Sequence, residues 1–418
     1  VTIPDAYDLL VVGGGHAGVA VVGQLRKSGY AGTIGVIEGQ DELPYERPPL
    51  SKGLLLGDVT EEELRLRRAD YWQSGVADLH LGVTVTSVDP RAHRVTIGDG
   101  STVGYGRLVW ATGASARALP LPGADSENVV AVRTLADARR LERLAATAAT
   151  AVLIGGGYIG LETAATLAKL GTRVTVVEAQ SRLLARVSGP AVARRLAELH
   201  AGHGVRVVVD AQVSGLRTAG SRVTSVVLGD GDVLDADLVV VGIGVEPRIA
   251  QLVEAGAATA GGVLVDSRCR TGLDGVYAIG DVAAQECGYA GGARLRIESV
   301  PNATEQAKCV AADVVGGAEI ARGVPWFWSQ QYDVRLQTAG ILAGFDQEVV
   351  REPGADDAYV VGYFREGLLV AADCLNAPRD FNVVKTLLGR RLAVTPERFS
   401  AAPALADLLS HEHAAATM

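Results

Sequence analysis

Short uninterrupted apolar runs alternate with glycine-rich turns and with stretches of helical period along this chain. Leu9-Leu10-Val11-Val12, with no polar residue between, predicts a strand buried on both faces, as in a parallel sheet. Gly13-Gly14-Gly15-His16-Ala17-Gly18 predicts a turn, 19–28 a helix closed by Gly29, and 33–38 a second strand that ends in an acid, Glu38. The pattern returns from Ala151. A strand at 151–154 precedes the turn Gly155-Gly156-Gly157-Tyr158-Ile159-Gly160. A helix over 161–170, closed by Gly171, and a strand over 173–178 ending in Glu178 follow. Further on, 80–85 corresponds to 205–209. Asp99-Gly100 and Asp230-Gly231 each mark a hairpin, and 107–113 and 237–242 each close a unit. The last third reads differently. Apolar runs at 358–364 and 368–373 flank Arg365-Glu366-Gly367 as a hairpin, and 378–388 predicts a helix ending near Gly389.

Each turn is G-x-G-x-x-G. The first glycine (Gly13, Gly155) permits the tight turn, the second (Gly15, Gly157) lets a pyrophosphate approach the backbone, and the third (Gly18, Gly160) lets helix and strand pack closely. The helix N-terminus then offers free N–H groups and partial positive charge to an anion. His16, Ala17, Tyr158 and Ile159 fill the variable positions and are counted with the binding sites. Glu38 and Glu178 stand where an acid accepts hydrogen bonds from an adenosine ribose. One such turn is a weak signal. Two, each between a strand and a helix and each followed by an acid-ended strand, predict two dinucleotides: FAD and a nicotinamide nucleotide, with hydride passing between them.

With 418 residues the chain has room for two to three domains. Hydrophobic residues are 48% and charged residues 21%, which places it among globular proteins rather than disordered ones. Neither an apolar run of membrane-spanning length nor a secretory pattern is present, so a soluble, cytoplasmic protein is expected. The net charge of −9 argues against a nucleic-acid partner. Cys269, Cys287, Cys309 and Cys374 form no C-x-x-C, so neither a metal site nor a dithiol redox pair is expected.

Longer motifs add a family. Tyr45-Glu46-Arg47-Pro48-Pro49-Leu50-Ser51-Lys52, Val132-Arg133-Thr134-Leu135, the stretch 155–162, Arg296-Ile297-Glu298-Ser299-Val300-Pro301-Asn302-Ala303 and Pro325-Trp326-Phe327-Trp328-Ser329 resemble the FAD-dependent NADH:ferredoxin reductases of oxygenase systems, over roughly 9–399. The resemblance implies an α/β fold. Two Rossmann-like dinucleotide-binding domains in the arrangement of glutathione reductase would be joined to a C-terminal α+β domain. The FAD domain would be 1–117 and 247–322, with the NAD domain 118–246 inserted and the C-terminal domain at 323–418.

It also implies roles. Ala278-Ile279-Gly280-Asp281 is similar to the second FAD fingerprint of two-dinucleotide flavoproteins, which assigns FAD to the first turn and NADH to the second. By position alone Asp281 reads equally as a helix cap or turn residue. Arg47, Val83, Ala111, Thr112, Gly113, Arg133, Gly280, Asp281, Val300 and Trp328 would join the FAD site, and Gly244, Glu178 and Glu298 the nucleotide site. Trp326 and Trp328, two apart on a strand, also read as ordinary core. Lys52 and Glu162, placed on different domains, are expected to meet beside the flavin as the catalytic pair. His16 departs from the smaller or apolar residue usual in the family.

The implied activity takes hydride from NADH onto FAD and passes single electrons to a 2Fe–2S ferredoxin, which supplies a haem-thiolate monooxygenase or a ring-hydroxylating dioxygenase. Docking would be transient and electrostatic, with Arg65, Arg67, Arg68, Arg294, Arg296, Arg390 and Arg391 as candidate contacts, and the reductase a monomer or weak dimer. Two other readings stand beside it: a flavoprotein like apoptosis-inducing factor with a mainly non-catalytic role, and a flavin-dependent reductase or oxidase of small molecules.

Overall fold

The computed structural model describes residues 3–351 and 358–410. Its contacts divide the chain into two compact units. The first comprises Val1–Glu46, Glu61–Ser115 and Glu246–Pro325, and the second Arg47–Thr60, Ala116–Val245 and Trp326–Met418.

In the first unit the strands Asp78–His80, Ile34–Ile37, Ala6–Val12 and Thr102–Trp110 lie side by side and parallel. Val276–Ala278 joins the last of them in parallel, and Val85–Asp89 with Arg94–Ile97 extends the sheet antiparallel. Val12 is level with Ile37 on one side and Trp110 on the other, so the chain leaves the sheet at one edge there. Leu9 and Val11 pack into one core with the helices His16–Lys27 and Val300–Val314, and Leu10 and Val12 into another on the opposite face. A strand covered on both sides needs apolar residues at every position, which explains the unbroken run.

The second unit repeats the plan. Arg206–Val208, Arg173–Val177, Thr150–Ile154, Leu238–Val241 and Val129–Val130 form a parallel sheet in that order. The helices Leu135–Ala145, Tyr158–Lys169 and Pro190–Gly202 cover one face, and the meander Val213–Ala219, Arg222–Leu228, Val233–Asp235 the other. A five-stranded antiparallel sheet follows, ordered Trp326–Gln331, Val334–Gly340, Leu368–Leu375, Tyr359–Arg365, Gln347–Arg351, with the helix Pro378–Gly389 after it. The expected hairpin and helix of the last third are two strands and one helix of this larger element.

Two assignments of chain to domain differ from the sequence-based ones. The segment 47–60, read as part of the first domain, groups with the second unit. Leu55 lies in that unit's core, and the Ser51 carbonyl accepts from Thr166 Oγ1 at 2.9 Å. The C-terminal sheet also groups there, because Leu336, Val361, Tyr363 and Ala371 share one hydrophobic cluster with Leu153, Leu161 and Val192.

One ion cluster ties the first unit together at the end of the helix Val300–Val314. Asp313, with its side chain 2% exposed, accepts from Arg268 at 2.7 Å, from Arg270 at 2.5 and 2.6 Å, and from the Tyr277 hydroxyl at 2.7 Å. Burial alone would raise its pKa. Arg270, Arg268 and Tyr277 outweigh that and bring it from 3.8 to about 2. A depressed carboxylate stabilises the fold above its unfolded pKa and loses that contribution as pH falls through the folded one. Asp313→Asn is therefore expected to lose about 2 kcal/mol of unfolding free energy at pH 7. In urea titrations the deficit should persist down to 3.8 and shrink only toward about 2; an Asn variant equal to wild type at pH 7 would refute it.

Candidate active site

The two glycine turns are copies of each other at the level of single hydrogen bonds. Gly13 has φ 108° and Gly155 φ 109°, a region open to glycine, and each donates its N–H at 2.8 Å to the end of the neighbouring strand, at Ile37 and Val177. A Cβ on Gly13 would stand 2.3 Å from the Ala111 carbonyl oxygen, and one on Gly155 2.4 Å from that of Gly242. A Cβ on Gly18 would stand 1.9 Å from Gly13 O, and on Gly160 2.2 Å from Gly155 O. The middle glycines differ: a Cβ on Gly15 or Gly157 meets nothing within 4 Å among the described residues. Both are helix N-caps, and no side chain caps either helix. Two open cradles, each at a helix N-terminus without a side-chain cap, fit two diphosphates.

Glu38 and Glu178 are built alike. Glu38 accepts from Gly14 N at 2.6 Å and Gln40 N at 3.0 Å; Glu178 accepts from Gly156 N at 2.7 Å and Gln180 N at 2.8 Å. Each acid thus clamps its own turn, a role not read from the sequence. Arg182, the nearest cation after Glu178 in sequence, turns away to the Ser188 and Ala185 carbonyls.

Most of the remaining expected FAD residues lie in the first unit. Ala111, Thr112 and Gly113 leave the strand Thr102–Trp110 opposite Gly13, with Ala111 N bonded to Val12 O at 2.8 Å and Thr112 Oγ1 to Arg248 O at 2.7 Å. Val83 N donates to Glu38 O at 3.0 Å. Gly280 comes up to the first turn: its Cβ would stand 3.2 Å from that of Ala17, and its N–H donates to Gln306 Oε1 at 2.6 Å. Asp281 follows in a short helical turn whose cap is Ile279. Val300 begins the helix Val300–Val314, and His16 begins the helix His16–Lys27.

Other expected site residues belong to the second unit: Arg47, Lys52, Arg133 and Trp328, together with Tyr158, Ile159 and Gly244. Arg47 Nη1 donates to the Arg133 carbonyl at 2.6 Å. Trp328 and Trp326 share one face of their strand with ring centres 5.6 Å apart, while Phe327 faces the other way onto Tyr158 at 4.5 Å. Glu298, expected with the nucleotide residues, lies in the first unit and is ion-paired to Arg296. Of the candidate docking arginines, Arg65 pairs with Glu62. Arg390 and Arg391 stand just beyond the helix Pro378–Gly389.

Lys52 and Glu162 meet: Nζ is 2.9 Å from Oε1. Both belong to the second compact unit, Lys52 through the segment 47–60 that groups there. Glu162 is only 3% exposed, and two hydroxyls share its carboxylate: Ser51 Oγ donates to Oε2 at 2.8 Å and Ser329 Oγ to Oε1 at 2.7 Å. Both serines stand inside motifs quoted above, but nothing in their sequence neighbourhood points to Glu162.

Cys269 and Cys309, far apart in sequence, are buried in one core cluster, their thiols donating to the Gln306 and Ile320 carbonyls at 3.9 Å. Among the described residues no group of His, Cys, Asp and Glu is placed to hold a metal ion, and no helix is long and apolar enough to cross a membrane.

Residues 7–307 match the family model of the pyridine nucleotide-disulphide oxidoreductases, and 326–409 match the reductase C-terminal family. A ferredoxin–NAD(P)+ reductase of Sphingomonas is 45% identical over 93% of this chain and 94% of its own length. The ferredoxin reductase subunit of the 5,5'-dehydrodivanillate O-demethylase of a Sphingobium strain is 42% identical over 94% of each. The crystal structure of a covalent putidaredoxin reductase–putidaredoxin complex matches with a TM-score of 0.93 and 35% identity, over 98% of this chain and 99% of that one.

The two kinds of glycine should separate on substitution. Gly160→Ala, whose Cβ would overlap a backbone carbonyl, is expected to lower stability by about 1–3 kcal/mol. Gly157→Ala should melt as wild type yet bind a dinucleotide more weakly. Thermal melts with calorimetric titration decide this; indistinguishable melting of the two would contradict the geometry.

Proposed function

The chain belongs to the pyridine nucleotide-disulphide oxidoreductase family and carries its reductase C-terminal domain, and we propose on that premise that its two turns serve a single electron path from NADH through FAD to a 2Fe–2S ferredoxin. It is an FAD-dependent ferredoxin reductase of the type found in oxygenase systems. The observation that carries the path is the pair of matching open cradles at Gly15 and Gly157 in one chain. FAD, when bound, takes two electrons as a hydride and gives them up singly, which links a nicotinamide donor to a one-electron carrier.

Each residue then has a task. The first turn, with Glu38 and the adjoining Gly280-Asp281, holds FAD, to which Val83, 111–113, Arg47, Arg133, Val300 and Trp328 also contribute. The second turn, with Glu178, Gly244 and Glu298, holds the nucleotide. Lys52 offers a cation to the flavin, favouring the negative charge that grows as hydride arrives. Glu162 holds that lysine in place. In functional terms 1–117 with 247–322 form the FAD domain, 118–246 the NAD domain and 323–418 the C-terminal domain. The ferredoxin docks transiently on an arginine-bearing face, the reductase works in the cytoplasm as a monomer or weak dimer, and the electrons go on to a haem-thiolate monooxygenase or ring-hydroxylating dioxygenase.

Stopped-flow flavin reduction followed by cytochrome c reduction tests the path. NADH should bleach the flavin, and cytochrome c turnover should depend on added ferredoxin; turnover of equal rate without ferredoxin would overturn it. Lys52→Ala should slow flavin reduction about tenfold or more with FAD retained, and Glu162→Ala should change nucleotide binding and reduction together. Wild-type rates in both would make the pair structural.

NADH should outcompete NADPH. Glu178 is fixed by two backbone N–H groups and would repel a 2′-phosphate, while Arg182 is engaged with its own loop. Glu178→Ala should narrow the difference in kcat/KM between the two nucleotides. A wild-type enzyme that uses NADPH as well as NADH would refute the preference.

A further inference from the structure

Behind Glu162 the second unit carries a line of buried polar side chains that neither the turn nor the ion pair explains. His200, on the helix Pro190–Gly202, has a ring nitrogen, Nε2, 2.9 Å from Gln331 Oε1. Gln331 Nε2 donates to Ser329 Oγ at 3.3 Å, and Ser329 Oγ donates to Glu162 Oε1 at 2.7 Å. His200, Gln331 and Ser329 are all buried. Ser329 and Gln331 are two apart on the strand Trp326–Gln331 and so project to one face. Phe327 shares that face and packs on Tyr158, at the start of the helix that carries Glu162.

The direction of every bond in the line is fixed. An amide oxygen only accepts, so His200 must present N–H at Nε2. Burial lowers its pKa and favours the neutral ring, which leaves Nδ1 as the unprotonated nitrogen, without a hydrogen-bond partner among the described residues. The Gln331 amide spends its N–H on the Ser329 oxygen. The single hydroxyl proton of Ser329 is then left for Glu162. Three donors in series thus aim at one carboxylate oxygen, the one that also meets Lys52. Apolar residues at 200, 329 and 331 would fill the same core without the desolvation that buried polar groups incur.

We propose that Ser329 is a positioning residue, whose hydroxyl, oriented by Gln331 and His200 behind it, holds the Glu162 carboxylate turned toward Lys52. This rests on the reading of Lys52 and Glu162 as the pair beside the flavin. Ser51 secures the other oxygen, so the carboxylate has no freedom to rotate away from the lysine.

The test uses the FAD-loaded enzyme and two readouts. The first is acylation of Lys52 by limiting acetic anhydride at neutral pH, quantified by mass spectrometry against Lys27 and Lys308. An amine engaged at 2.9 Å with a carboxylate is less available to the anhydride than an exposed one. Glu162→Gln sets the upper limit of labelling. Ser329→Ala should raise Lys52 labelling about threefold or more, with the protein folded and its flavin content unchanged, while Ser329→Thr, which keeps the hydroxyl, should label as wild type. Gln331→Leu should move in the same direction by less. The second readout is flavin reduction by NADH, which Ser329→Ala should slow about threefold to tenfold and Ser329→Thr should restore. Wild-type labelling in Ser329→Ala overturns the proposal, and wild-type labelling in Gln331→Leu removes Gln331 and His200 from it. Should Lys52→Ala reduce flavin at the wild-type rate, the catalytic reading of the pair falls, and labelling still decides whether Ser329 holds it.

Discussion

A carboxylate cannot be taken out of water without partners, and in the second unit that constraint falls on Glu162. Removing an ion of this size from solvent costs several kcal/mol even after relaxation. Here the charge is met by one ammonium and two hydroxyls, from Lys52, Ser51 and Ser329. They come from two stretches of chain, the segment 47–60 and the strand Trp326–Gln331, and meet the acid on the helix Tyr158–Lys169. Any one of them displaced would leave a buried charge under-compensated. The unit's composition follows. A short segment read as belonging to the first domain and a sheet read as a separate domain are both bound to the element that bears the acid.

The glycine turns obey a different constraint, one of space rather than charge. The close approach of Gly18 to Gly13 O and of Gly160 to Gly155 O brings each helix onto its strand, so only hydrogen fits there. Glu38 and Glu178 then fix the loops by accepting the same two backbone N–H groups in each copy. An acid at this point shapes the turn before any dinucleotide arrives. A carboxylate oxygen has more than one lone pair, so the clamp is compatible with a further bond to a ribose hydroxyl.

What could be read along the chain was what the chain decides locally. The doubled strand–turn–helix plan, the hairpins at Asp99-Gly100 and Asp230-Gly231 and the helix after Pro378 all rest on neighbours in sequence, and all are present. Lys52 and Glu162 were paired by resemblance, since nothing local connects residues so distant. Ser51, Ser329, Gln331 and His200 stayed silent for the same reason: a serine or glutamine on a strand looks like any other until the fold shows which carboxylate it faces. Cys269 and Cys309 make the same point, because no spacing along the chain shows that a loop cysteine and a helix cysteine forty residues apart enter one core cluster.

The C-terminal sheet is joined to the nucleotide-type turn by more than Glu162. Asp373, fully buried, accepts from the hydroxyls of Ser188 and Tyr363, at 2.6 and 2.7 Å, and from Thr338 at 2.5 Å. Burial raises its pKa, and those three donors only partly offset that. Tyr363 in turn accepts from Gly189 N at 3.0 Å, at the N-terminus of the helix that carries His200. Tyr158, inside the glycine turn itself, packs at a tilt against Phe327 of the sheet's first strand. The turn, the helix bearing Glu162, the serine that steadies it and the strand bearing Trp328 are therefore held by one continuous set of buried contacts. A site built on elements locked to one another keeps its groups in place without reorganising at each turnover, and reactions that depend on sub-ångström placement gain most from that arrangement.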